Sequence, residues 1–387
     1  MDKGGLRIAL VWDLGGGRGH AVRVAALAKA LRAAGHRVLL FARDLATLAE
    51  AVGQDFTLLA APHNDWLVSQ APASWGEILW SEAGLHDRRN AVAIARAWRD
   101  SFRALAIDLV VADAAPLALF AARALSLPAV AIGTGFLVPP AEPPWPSFRP
   151  WELSPERARA QAAMEAQVAQ RWAELESMLS IPQGPRASRE LLFTLPDFDH
   201  YPHRGQAHYL GPLLGQGIQP IWPDGPGSKV FVYLQAYSGH IGVLGEVLAE
   251  LRVPVLVHLG GGQANWPAQP NVHIAERPLA MDAVLAQADL VVSHGGNLAV
   301  LAAQAGVPSL LLPFQAEMLH TAQRLAALGL GRWLGPPDGA QIGATLASLL
   351  ADDATRQRCR AYSRRHPLRG DDQLLAEAVH LIERWAA

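Results

Sequence analysis

The chain has 387 residues, 51% hydrophobic and 18% charged, with a formal net charge of −2. That length exceeds one ordinary core and suits two domains, and the near-neutral balance gives no electrostatic reason to expect a nucleic-acid partner. Cys359 is the single cysteine, which excludes an intrachain disulfide and any cysteine-based metal site.

In chain order, residues 7–12 read as a strand buried on both faces, Gly15, Gly16 and Gly17 as a loop, and 21–34 as a helix closed by Gly35. Strands are expected at 37–41, 108–112 and 129–133, with a helix over 116–125 between the last two. Apolar strands alternating with helices indicate a parallel, doubly wound sheet. Residues 139–155 are rich in proline and predict an extended loop, followed by a helix over 156–179 that Ser154 caps and Pro155 starts. After a Gly- and Pro-containing stretch the alternation restarts. Strands are expected at 230–235, 255–259, 290–293 and 309–312, helices at 242–251, 281–287, 298–305 and 319–328, and a last helix at 372–387. The expected organisation is a first domain at 1–215, a linker at 216–228, a second domain at 229–371 and a terminal helix packing back on the first. The N-terminus runs into a strand without the features of a secretory leader, and no apolar run reaches membrane-spanning length. A cytoplasmic protein is therefore expected.

In open α/β sheets, ligands bind where strands end and helix N-termini converge. Two glycine-rich turns occupy such places. One is Gly15-Gly16-Gly17-Arg18-Gly19-His20 after the first strand; the other is Ser293-His294-Gly295-Gly296-Asn297, which opens a helix in the second half. Glycines let backbone approach a phosphate, and free helix N–H groups attract anions. His20 and Asp113 follow two strands of one sheet, so their side chains can meet. An imidazole can take a proton from a hydroxyl nucleophile while a carboxylate fixes its tautomer. Each residue also has a plainer reading: Asp113 as a helix cap, His294 as a turn stabiliser, Glu317 as an acid at a helix start. Trp66, Trp75, Trp80, Trp145 and Trp151 could form an aromatic pocket or simply pack.

The run from Asp289 through Ser293-His294-Gly295-Gly296, then Ala305-Gly306-Val307-Pro308 to Pro313, Arg324-Leu325 and Gly329-Leu330-Gly331, resembles the donor-binding signature of the UDP-glycosyltransferase superfamily. The resemblance extends to Gly19-His20, Gly35-His36, the segment ending at Asp113, and Leu127-Pro128-Ala129-Val130. It implies an α/β protein of GT-B fold, with two Rossmann-like doubly wound domains facing across a cleft. It further implies sugar transfer from a UDP or dTDP sugar to a small-molecule or lipid acceptor, with no metal and no cofactor beyond that co-substrate, by a monomer or homodimer. By the same resemblance His20 and Asp113 form the catalytic dyad. Ser293, His294, Gly295, Gly296 and Asn297 hold the diphosphate, Glu317 the sugar, and Arg277 and Pro278 lie near the base. The acceptor side takes Gly17, Arg18, Gly19, Trp66, Trp80 and Trp145. The sequence departs from the pattern at Ala302 or Ala303, where relatives carry Glu for the ribose, at Met318, and in lacking Ser or Thr after Asn297. Those departures motivate an alternative, a non-catalytic GT-B partner or activator. A nucleotide-sugar epimerase is a third reading, which has no need of the His20–Asp113 pair.

Overall fold

A computed structural model describes residues 5–65, 72–141, 143–181, 189–201, 204–205, 207–236, 238–239, 241–262, 266, 269–336 and 338–386. The chain divides into two compact units. The first comprises Met1–Phe193, Tyr201–Gly211 and Asp372–Ala387; the second comprises Thr194–His200 and Pro212–Asp371. Residues 194–200 and the whole stretch from 212 to 228 thus group with the second unit. The sequence expectation places 194–200 within a first domain at 1–215 and sets 216–228 apart as a linker.

The first unit contains β1 (Arg7–Trp12), α1 (Arg18–Ala33), β2 (Arg37–Ala42), α2 (Leu45–Val52), β3 (Thr57–Ala60), α3 (Trp75–Ser81) and α4 (Arg88–Ala104). It continues with β4 (Leu109–Asp113), α5 (Pro116–Ala124), β5 (Ala129–Gly133), α6 (Pro155–Met178), β6 (Arg189–Leu192) and β7 (His208–Tyr209). The strands form one sheet in the order β3-β2-β1-β4-β5-β6-β7, parallel throughout. Ile8, Leu10, Leu40, Val110 and Val111 are fully buried in it, which explains why these strands read as unbroken apolar runs. Helix α1 buries Ala21, Val24, Leu27, Ala28 and Leu31, a stripe at helical spacing; each leucine contributes about 1.5–3 kcal/mol through burial. It begins at Arg18, three residues before the expected start. The sequence reading named no element between the second and third of its strands, yet α4 lies there. Asp87 caps it by accepting from Arg89 N and Asn90 N, and Trp98 packs within 5.3 Å of Phe41 and 5.4 Å of Phe102 between ring centroids.

The second unit contains β8 (Val230–Gln235), α7 (Ile241–Glu250), β9 (Val255–Gly260), β10 (Val272–Ala275), α8 (Met281–Leu285) and β11 (Leu290–Ser293). It continues with α9 (Asn297–Ala305), β12 (Ser309–Leu311), α10 (Ala316–Ala327), β13 (Gly331–Trp333), α11 (Gly339–Leu350) and α12 (Asp353–Arg365). Its parallel sheet runs β10-β9-β8-β11-β12-β13. One face is covered by a core joining Val232, Leu234, Leu244, Leu248, Ile342 and Leu346; the other holds Phe231, Val291, Leu301 and Ala302. Gly331 permits the edge pairing of β13, because a Cβ there would lie 2.0 Å from the Ser309 carbonyl oxygen.

The last helix, α13 (Asp371–Ala386), buries Leu374, Ala378, Leu381 and Ile382. All but its first residue group with the first unit, where Glu377 and Glu383 meet His208 and His36 at 2.8 and 3.0 Å. Among the described residues, no helix is long and apolar enough to cross a membrane.

Candidate active site

Each sheet reverses its strand order once, between β1 and β4 in the first unit and between β8 and β11 in the second. Such switch points open a crevice beyond the strand ends, where ligands bind in open α/β sheets. Both glycine-rich turns lie there.

In the first unit, β1 and β4 pair so that Trp12 sits opposite Asp113. Leu14 N donates to Ala114 O at 2.9 Å and ties the two strand ends together. Ala114 takes φ +50°, a left-handed turn that carries the chain off β4 into α5 at a local cost of about 1–2 kcal/mol. Gly17, with φ 101°, is the N-cap of α1, so His20 stands in that helix's first turn and not in the loop before it. His20 Nδ1 is 2.9 Å from Asp113 Oδ1, and the imidazole stacks on Trp12 with centroids 5.5 Å apart and planes 6° from parallel. Arg23, one turn further along α1, donates to Asp113 Oδ2 from Nε at 2.9 Å and from Nη2 at 2.6 Å. Burial by itself pushes the Asp113 carboxyl up; the adjacent Arg23 and His20, by charge and hydrogen bond, outweigh it and hold the group below the ordinary carboxylate range.

Beside these groups is a cavity of about 500 Å³, lined in part by Trp75, Phe120, Leu137, Trp145, Trp172 and Trp385. Leu137 links it to the imidazole: a Cβ on Gly15 would stand 2.8 Å from Leu137 Cδ1 and 2.9 Å from His20 Nε2. Glycine at 15 thus keeps open the space beside Nε2. Trp145 lines the cavity, held by donation from its N to Glu165 Oε1 at 3.0 Å and from Nε1 to Pro140 O at 2.8 Å. Trp80 does not line it and lies under the Arg171 guanidinium, 5.5 Å from the ring centroid. Trp151 is 46% exposed. Trp66 is outside the described residues. Arg18 is exposed and lies 3.8 Å from Glu50, and nothing stands within 4 Å of a Cβ built on Gly19.

In the second unit, Gly296 caps α9 with φ 65°, and Gly295 takes φ 114°. Gly295 N donates to Ser293 Oγ at 3.3 Å. Gly296 lends no side chain to the cap, so it leaves N–H groups of the helix start for a ligand. His294 is buried, with Nδ1 3.0 Å from Leu312 O and Nε2 accepting from Gln235 N at 2.8 Å. These partners define a neutral ring protonated at Nδ1, bracing the ends of β8 and β12. Glu317 stands in the first turn of α10. Arg277 and Pro278 are exposed in the turn after β10, where Pro278 O accepts from Ile218 N at 2.8 Å. Ala302 and Ala303, in α9, are 0% and 1% exposed and pack into the core.

Two parallel doubly wound units, each with a glycine turn at its switch point, define the GT-B fold. Residues 260–353 match the glycosyltransferase family 28 C-terminal domain. Demethyllactenocin mycarosyltransferase of Streptomyces fradiae is 29% identical over 182 residues, which span 43% of this chain and 39% of that protein. Among solved structures, the calicheamicin glycosyltransferase CalG4 superposes with a TM-score of 0.71 at 23% identity, covering 98% of both chains. The Streptomyces sp. SF2575 glycosyltransferase SsfS6, complexed with thymidine diphosphate, gives 0.64 at 19% identity over 98% of this chain and 99% of its own. These likenesses show the fold, and the chain spans about two fifths of the length of the mycarosyltransferase it matches.

Sequence reasoning passed over Arg23, Trp12 and Gln235. Arg23 carried a signal: it lies three residues after His20 on the stripe with Ala21 and Val24 that α1 buries, and an arginine on a buried stripe needs a buried anion.

Proposed function

We propose that the protein transfers a sugar from a UDP or dTDP sugar to a hydroxyl of a small, apolar or aromatic natural product, with His20 as general base and Asp113 as its orienting partner. The observation that carries this reading is the His20–Asp113 contact of 2.9 Å at the switch point of the first sheet, beside a cavity with four tryptophans in its lining. The acceptor hydroxyl gives its proton to His20 Nε2 as its oxygen bonds to the sugar. The bond from sugar to diphosphate breaks, and the electron pair leaves with the nucleotide. Asp113 stabilises the imidazolium through Nδ1–H. The leaving diphosphate is received by N–H groups at the start of α9, which act in place of a metal ion. A phosphate contact from the His294 ring would require Nε2 to give up Gln235 N, so main-chain donors are the primary ones. In this reading Glu317, in the first turn of α10, accepts sugar hydroxyls. The thymidine diphosphate held by SsfS6 supports the donor class.

The lack of a carboxylate at Ala302 or Ala303 favours one competing reading, a GT-B partner protein that has lost donor binding. Thermal shift with UDP and dTDP separates the two, since a ligand of the native state raises its melting point. Stabilisation by either nucleotide, followed by acceptor glycosylation in a donor screen read by mass spectrometry, is the expected result. No shift with either nucleotide would replace the transferase reading with the partner reading.

A further inference from the structure

Asp113 has two partners. It is buried, with its side chain 1% exposed, and the Arg23 side chain beside it is 5% exposed. The two Arg23 donors converge on Oδ2, leaving Oδ1 for His20. Arg23 Nη2 also lies 3.2 Å from His20 Nδ1. The imidazole nitrogen is therefore set between a carboxylate oxygen and a guanidinium.

We infer that Arg23 is a positioning residue, the resident counter-ion of Asp113, and that it reserves His20 as a neutral imidazole protonated at Nδ1. The inference rests on the base role proposed for His20. A carboxylate withdrawn from water needs a cation or a proton. With Arg23 in place the need is met by a permanent charge, and His20 has only to donate Nδ1–H. Without Arg23, the one remaining partner among the described residues able to supply positive charge is His20, which would then hold a second proton and lose the Nε2 lone pair that a base requires. The guanidinium also opposes a proton on the ring directly, as a like charge at hydrogen-bonding distance.

Uncharged groups complete the surroundings: the Trp12 ring from β1, and Leu137 and Gly15 on the Nε2 side. Asp13, next to Trp12 in β1, answers to His63 and Arg43. Arg18, on the same turn of α1 as His20, is exposed and faces Glu50. Among the described residues, the charges set against His20 are therefore Asp113 from β4 and Arg23 from α1.

The test is ¹⁵N-edited NMR of the histidine rings in the full chain, assigned by His20→Gln. Wild type at pH 7 should show His20 neutral and protonated at Nδ1; an imidazolium, or the tautomer protonated at Nε2, overturns the inference. Arg23→Gln keeps donors but removes the charge. Its ¹⁵N spectrum should lose the wild-type signature of a His20 ring protonated at Nδ1 alone, and Arg23→Lys should restore it. An unchanged His20 signature in a folded Arg23→Gln protein refutes the counter-ion role. Should that variant fail to fold, the wild-type tautomer and the Arg23→Lys spectrum decide. In turnover, Arg23→Gln should lower kcat with KM near wild type, and Arg23→Lys should recover most of the loss. A loss that Arg23→Lys does not recover would mark a merely structural residue and overturn the inference. If no donor and acceptor pair supports turnover, the function reading falls, while the NMR result still judges Arg23.

Discussion

Asp13 lends itself to a quantitative test. It directly follows β1, is 2% exposed, and among the described residues its Oδ1 has no hydrogen-bond partner. Burial pushes its carboxyl up to about 7, against the opposing pull of His63 and Arg43. Between about pH 4 and pH 7 the folded protein therefore holds a proton that the unfolded chain has released. Stability falls as pH rises through that window and levels off above it. From pH 5 to pH 8 the loss covers roughly two pH units, and at 1.36 kcal/mol per unit it comes to about 3 kcal/mol. Asp13→Asn removes the titration. Packing effects of the amide are common to both pH values, so the comparison is the gap in melting temperature between variant and wild type at pH 8, minus that gap at pH 5. For a unit of this size, about 3 kcal/mol corresponds to roughly 6–12 °C in favour of the variant. Differential scanning calorimetry at the two pH values measures it. An equal gap at both values would show that Asp13 ionises normally, through water or a partner reaching Oδ1, and would refute the burial argument.

Three further outcomes are expected. His20→Ala should lower turnover by about 10²–10⁴-fold, the range of a general base, while calorimetric affinity for UDP or dTDP stays near wild type; full retained transfer would remove His20 from the mechanism. Gly295→Ala should abolish nucleotide binding in a protein that still folds. Its φ of +114° disfavours a side chain, and the new Cβ would stand 2.9 Å from Met318 O, shifting the turn that presents the α9 N–H groups; unchanged nucleotide affinity would show that those groups do not bind it. Transfer should persist in excess EDTA, because in the proposed mechanism N–H groups of the α9 start receive the leaving diphosphate; loss reversed by Mg²⁺ or Mn²⁺ would contradict that account.

Much of the fold was legible in the chain. The strands at 7–12, 129–133, 230–235 and 290–293 coincide with the observed elements because a strand buried on both faces must be apolar without interruption. Proline at 155 and serine at 154 marked the start of α6, where Ser154 accepts from Arg157 N. Both glycine turns stood out because each follows an apolar strand directly. The amphipathic helix α4 was missed, since five arginines and three other polar residues among its seventeen hide an apolar stripe that only Phe41 and its neighbours make necessary. The short edge strands β7 and β13 were missed too; two or three residues carry no period, and pairing with β6 or β12 creates them.

The sequence by itself determined which residues could carry chemistry: a histidine and a carboxylate after two parallel strands, and a glycine turn opening a helix. Only the tertiary structure decided how they are used. Strand order places β1 against β4, which brings residues 93 positions apart to 2.9 Å. The same packing buries Arg23 against Asp113, assigns both nitrogens of His294 to backbone partners, and turns Ala302 and Ala303 into the core. Local sequence sets the period and the chemistry of a segment. Which charge loses its water, and which neighbour must then replace it, is set by contacts distant in the chain.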